Sequence, residues 1–67
     1  MSYGDSPVRI EGVRIVGEEG TIIIVEVAGR RFRVPGRTLR AGSTARRVGD
    51  EGTLVMPASV AREAGLR

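Results

Sequence analysis

The sequence predicts a small, mainly β domain: about five strands in a barrel or twisted sheet, followed by one short C-terminal helix. Three observations predict it. Val- and Ile-rich runs alternate with polar residues at a period of two. Ten glycines in 67 residues punctuate those runs as turn residues do. A single Ala-rich stretch, after Pro57, has helical character. A chain of this length makes one domain, because it buries only about 60% of the surface it exposes when unfolded. The expected organisation is one domain over 1–67, with residues 1–7 as an N-terminal tail ahead of the first strand.

Val8–Val16 is the first strand. Val8 and Ile10 alternate with Arg9, then Val13 and Ile15 alternate with Arg14, one residue out of phase. A β-bulge at Gly12 restores a single inward face, since a bulge adds one residue and Gly tolerates its dihedrals. Glu18-Glu19-Gly20 fits a three-residue hairpin loop. That loop pairs Val16 with Ile22, Ile15 with Ile23 and Val13 with Val25. Thr21–Val27 is the second strand, where the β-branched run Ile22-Ile23-Ile24-Val25 disfavours a helix. A turn at Gly29-Arg30 then pairs Val27 with Phe32, Val25 with Val34, and Glu26 with Arg33 as an outward ion pair.

Pro35–Thr44 reads as a loop with Leu39 tucked inward. Ala45–Met56 reads as a second hairpin around Asp50-Glu51-Gly52. Val16–Ile22 (VGEEGTI) and Val48–Leu54 (VGDEGTL) share five of seven residues. The likeness fades outside those seven, which fits one common loop type used twice better than a duplication. Pro57–Ala64 is a two-turn helix, with Pro suited to the first turn and Gly65 placed to end it. Val60, Ala64 and Leu66 form its buried stripe. So short a helix must pack on the sheet to exist.

Composition excludes whole classes of function. There is no Cys and no His, hence no disulfide framework, no Cys nucleophile and no imidazole base. No metal site and no cofactor are expected. Carboxylate pairs occur at Glu18/Glu19 and Asp50/Glu51, but on hairpin tips, where solvation leaves them as turn and solubility residues. The glycines lack the strand-to-helix context of a phosphate loop. No catalytic residue is assigned, and an enzyme is not expected. Met1–Asp5 lacks the apolar core of a signal peptide. No apolar run approaches the ~18 residues of a membrane span. With Cys absent, a cytoplasmic setting is expected, on the nucleoid if the partner is DNA.

Charge carries the functional signal. All eleven basic residues are Arg, and the net charge is +3. Seven of them (Arg30, Arg31, Arg33, Arg37, Arg40, Arg46 and Arg47) lie between Ala28 and Gly49, where no acid occurs. The remaining four Arg face all eight acids, so +7 stands against −4. Such asymmetry bears on partners rather than fold. Guanidinium groups fit phosphate oxygens and guanine edges. If the strand at Arg31 and that at Arg46 are neighbours, five or more guanidinium groups form one patch. Only Tyr3 and Phe32 are aromatic, too few rings to hold single strands by stacking. Duplex DNA is therefore the favoured partner, ahead of RNA, in a regulatory or chromatin-like role. The alternatives are a protein-interaction module, in which Ile22 and Ile24 mediate self-association, and an RNA- or ribosome-associated accessory protein.

Thr44–Leu66 (TARRVGDEGTLVMPASVAREAGL) resembles the AbrB-type swapped-hairpin DNA-binding family. The shared succession is a basic strand at Arg46-Arg47-Val48, the turn at Gly52, Leu54-Val55-Met56-Pro57, a helix with Val60 and Arg62, then Gly65-Leu66. It is less closely similar to the small β domain of archaeal GINS replication subunits. The first resemblance implies a homodimer with interleaved hairpins whose Arg side chains grip DNA, with Arg46 and Arg62 at basic contact positions. Thr53 and Ala61 stand where that family often has Arg. The two expected architectures are accordingly an SH3-like barrel and a swapped-hairpin dimer.

Overall fold

The computed structural model describes residues 6–67. It consists of β1 (Pro7–Glu19), β2 (Ile22–Val27), β3 (Arg30–Pro35), a 3-10 turn (Gly36–Thr38), β4 (Glu51–Pro57) and α1 (Ala58–Ala64). The strands form one antiparallel sheet in the order β3-β2-β1-β4. The sheet has four strands instead of the expected five, and it is open rather than closed into a barrel. Residues 1–5, most of the expected tail, lie outside the described residues. Pro7 already pairs with Pro57 in the sheet.

The expected bulge is present. Ile10 faces Leu54 and Val13 faces Gly52, so Glu11 and Gly12 together oppose Thr53. Gly12 takes the positive φ of 71° that this needs. Val13 and Ile15 return to the face that Val8 and Ile10 began, and both are buried.

Both hairpin registers differ from the expected ones by two residues. Ile15 faces Val25 and Val13 faces Val27, across a two-residue tip at Gly20-Thr21. Val25 faces Phe32 and Ile23 faces Val34, across Ala28-Gly29. The first shift has two parts: the tip at Gly20-Thr21 moves the pairing by three residues, and a second bulge takes back one, since Ile15 pairs with Val25 but Gly17 with Ile24, leaving Val16 as the extra residue. The second arises because Ala28 and Gly29 adopt φ of 53° and 80°, the paired positive values of a tight hairpin turn. A shift of two preserves the side-chain face. Val13, Ile15, Ile23 and Val25 therefore line the core as expected, although their partners differ.

The second hairpin does not form. Residues 45–50 do not join the sheet as a strand; β4 begins only at Glu51. One Asp50 carboxylate oxygen accepts the N–H groups of both Arg46 and Arg47, at 3.0 Å each, and curls the chain into a turn. Thr44 and Ala45 both donate to the single Thr53 carbonyl, so no ladder propagates. The two similar heptapeptides thus differ in structure. The first runs through a strand into the Gly20-Thr21 tip, whereas the second turns at Val48-Gly49 and then enters β4.

One face of the sheet is covered by the 39–50 segment and α1. Ala45 and Ala61 are fully buried against Val13, Ile15, Val25, Val34, Leu54 and Met56, and Leu39, Val60, Ala64 and Leu66 pack around them. The segment also straps the outer edge of β4. Val55 N–H donates to Ser43 Oγ and Thr53 N–H to Thr44 Oγ1, both at 2.9 Å. Arg40 N–H donates to the Val55 carbonyl at 2.7 Å. Side-chain hydroxyls thereby occupy an edge that would otherwise present open backbone groups. The strap lies so close that a Cβ at Gly52 would collide with Thr44 Oγ1.

Two stability predictions follow from these contacts. Ala28→Asn relieves a left-handed Ala and should raise stability by about 0.5–1 kcal/mol in urea denaturation. Gly52→Ala should cost about 1–3 kcal/mol through the Thr44 collision. Combined with Thr44→Ala, its cost should fall below the sum of the two single changes.

Candidate nucleic-acid interface

Five arginines of the seven-arginine stretch divide between the two edges of the sheet, with Arg37 and Arg40 on the connection between them. Arg30, Arg31 and Arg33 belong to β3, at one edge of the sheet, while Arg46 and Arg47 precede β4 at the other. The strands are not neighbours, so the single patch that adjacency would have produced does not form through the sheet.

Outward-facing arginines of the sheet are paired with acids. Arg14 grips Glu51 through Nε and Nη2, at 3.0 and 2.6 Å. Arg31 meets Glu26 at 3.9 Å, Arg9 meets Glu11 at 3.9 Å, and Arg33 pairs with Glu19. The expected Glu26–Arg33 pair is thus replaced by Glu26–Arg31, because the two-residue shift moves Arg33 opposite Ile24. Exposed pairs of this kind add little to stability, because water screens them. Their larger effect here is to neutralise charge on this face. Arg30 lies over the Phe32 ring, 5.9 Å from its centroid, and has no acid partner among the described residues.

The loop arginines are different. Among the described residues, Arg37, Arg40, Arg46, Arg47 and Arg62 form no ion pair, and all five are exposed. Their backbone is nonetheless held. Gly36 N–H donates to the Thr21 carbonyl at 2.7 Å and fixes the 3-10 turn carrying Arg37. Arg40 is held by its bond to Val55, and the Arg46 guanidinium reaches the Arg40 carbonyl at 3.4 Å. Asp50 holds Arg46 and Arg47. Charges displayed on a fixed backbone lose less freedom on binding than charges on a mobile tail. Arg62 stands apart, on α1.

Arg37 and Arg46 line one open cleft together with Glu18, Thr21, Ile23 and Leu39. Glu18 was expected only as a solvated tip residue. The extra residue at Val16 places it opposite Ile23, and so on the side of the sheet where the loop runs. Nothing in the local sequence signals that second bulge.

Ile22 and Ile24 are half-buried within the single chain. Ile22 lies in a groove with Pro35, Val60 and Ala64. Ile24 lies across Gly17, where a Cβ would be 3.3 Å from Cδ1. No three carboxylates among the described residues converge as a metal site would require. No described helix is long and apolar enough to cross a membrane. No family model, curated protein or solved structure matches the chain.

The Asp50 turn gives a pH prediction. Hydrogen bonds from the Arg46 and Arg47 N–H groups favour the carboxylate and hold Asp50 below its ordinary value of 3.8. A depressed folded value means the turn is fully stabilised above about pH 4 and loosens as pH falls through the lower folded value. The Arg46 and Arg47 amide resonances should shift together in that acid range. Asp50→Asn should remove the transition, and persistence of it in that variant would count against the assignment.

Proposed function

We propose that this protein binds nucleic acid without catalysing a reaction, duplex DNA before RNA, through phosphate contacts made by the loop arginines. The observation that carries this reading is the division of charge. Arginines on the outward sheet face are matched by acids, whereas Arg37, Arg40, Arg46 and Arg47 are unmatched and anchored. A surface built only for solubility has no reason to pair one set and fix the other unpaired. Guanidinium groups suit phosphate oxygens in geometry and charge. Arg30 and Arg62, exposed and without an ion pair among the described residues, make secondary contacts. The AbrB-type resemblance of Thr44–Leu66 supports the same reading and adds a second copy, with a role in transcription regulation or chromatin organisation.

The experiment is a salt titration of duplex binding. Log affinity should fall linearly with log salt, with a slope of about −0.9 for each phosphate neutralised. Contact with roughly four to six phosphates is expected. Gln at Arg37, Arg40, Arg46 or Arg47 should each flatten the slope by nearly one phosphate. Gln at Arg31 or Arg33 should change it far less, because each is already paired with an acid and neutralises no phosphate. Equal effects at all six positions, or no binding at low salt, would overturn the reading.

A further inference from the structure

We propose that the cleft holding Glu18, Arg37 and Arg46 takes a guanine nucleotide unit, free or unpaired within a strand. This deepens the nucleic-acid reading and rests on it. The cleft combines opposite charges that do not satisfy one another. Glu18, Arg37 and Arg46 line the same space, yet no ion pair joins them. A plain phosphate site has no use for Glu18, which would repel the ligand. A carboxylate accepts hydrogen bonds and donates none, so its ligand must supply donors. Two guanidinium groups donate only, so the same ligand must also supply acceptor oxygens.

A nucleotide meets both demands, with its phosphate toward Arg37 and Arg46 and its base edge toward Glu18. Guanine is the base that presents two adjacent donors, N1–H and the 2-amino group, to match the two oxygens of a carboxylate. Adenine and cytosine offer one donor group beside an acceptor, and uracil offers one donor between two acceptors. Leu39, half-buried on the cleft wall beside Ile23, gives the base an apolar surface in a protein with few rings to stack on. The cleft is open to solvent and has a volume of about 360 Å³, at the small end for ligand clefts. The fold explains the convergence: the Val16 bulge directs Glu18, the Gly36–Thr21 bond places Arg37, and Asp50 anchors Arg46.

The test is amide chemical-shift titration of the intact chain with GMP, IMP, UMP and inorganic phosphate. GMP should perturb residues 18–21 and 36–46 and bind about tenfold or more tighter than IMP, which lacks the 2-amino group. Glu18→Gln should erase that preference. Gln at both Arg37 and Arg46 should weaken all four ligands, and Arg9→Gln should change none. A duplex with one bulged guanine, compared with its fully paired form, tells a strand-borne guanine from a free nucleotide. Equal binding of GMP and IMP by the unaltered protein overturns the proposal, as does tighter binding of every anion by Glu18→Gln. If the paired duplex binds and no nucleotide does, the cleft proposal fails and the phosphate reading stands. If neither binds, both fail.

Discussion

The structure depends on the phase of β1. This 13-residue strand is the longest of the sheet and pairs with β2 along one side and β4 along the other, so the β2-β3 hairpin and β4 are aligned through it. Without an inserted residue, its apolar side chains would change faces at Glu11-Gly12. The bulge keeps Val8, Ile10, Val13 and Ile15 on one side, where the helix and the 39–50 segment bury them. A glycine within a strand costs backbone entropy on folding. That cost is offset by a continuous core in a chain with little apolar surface to spare.

The second bulge serves the surface as the first serves the core. By inserting Val16, it brings Glu18 opposite Ile23 and Glu19 opposite Ile22. Glu19 then neutralises Arg33, while Glu18 is left beside Arg37 and Arg46. The strap along β4 has a matching double effect. Ser43 and Thr44 close a sheet edge that would invite another strand. The same bonds fix the backbone on which the unpaired arginines stand. Edge protection and display of charge are thus two consequences of one segment, and Gly52 provides the room for it.

Much of the fold was legible in residue order. The Gly12 bulge, the inward set Val13, Ile15, Ile23 and Val25, and the helix between Pro57 and Gly65 all follow from period-two patterning and terminus chemistry. Registers were not legible, because shifts of two leave the pattern of faces unchanged. The hairpin expected over Ala45–Met56 was misread for a different reason. Asp50-Glu51-Gly52 has turn composition, but the Asp50 side chain closes its turn backward onto Arg46 and Arg47, so Gly52 falls inside the strand. Side-chain to backbone competition of this kind overrides a local loop signature.

The sequence by itself determined the fold class, the inward residues and the concentration of arginine between Ala28 and Gly49. These depend on periodicity and composition, which are local properties. Tertiary structure alone decided which arginines are neutralised and which are not. That depends on cross-strand partners, and a partner is set by register, turn geometry and bulges acting together over long sequence distances. Arg33 and Arg37 are four residues apart and equivalent on paper, but one faces Glu19 across the sheet and the other stands unpaired at the cleft with Glu18.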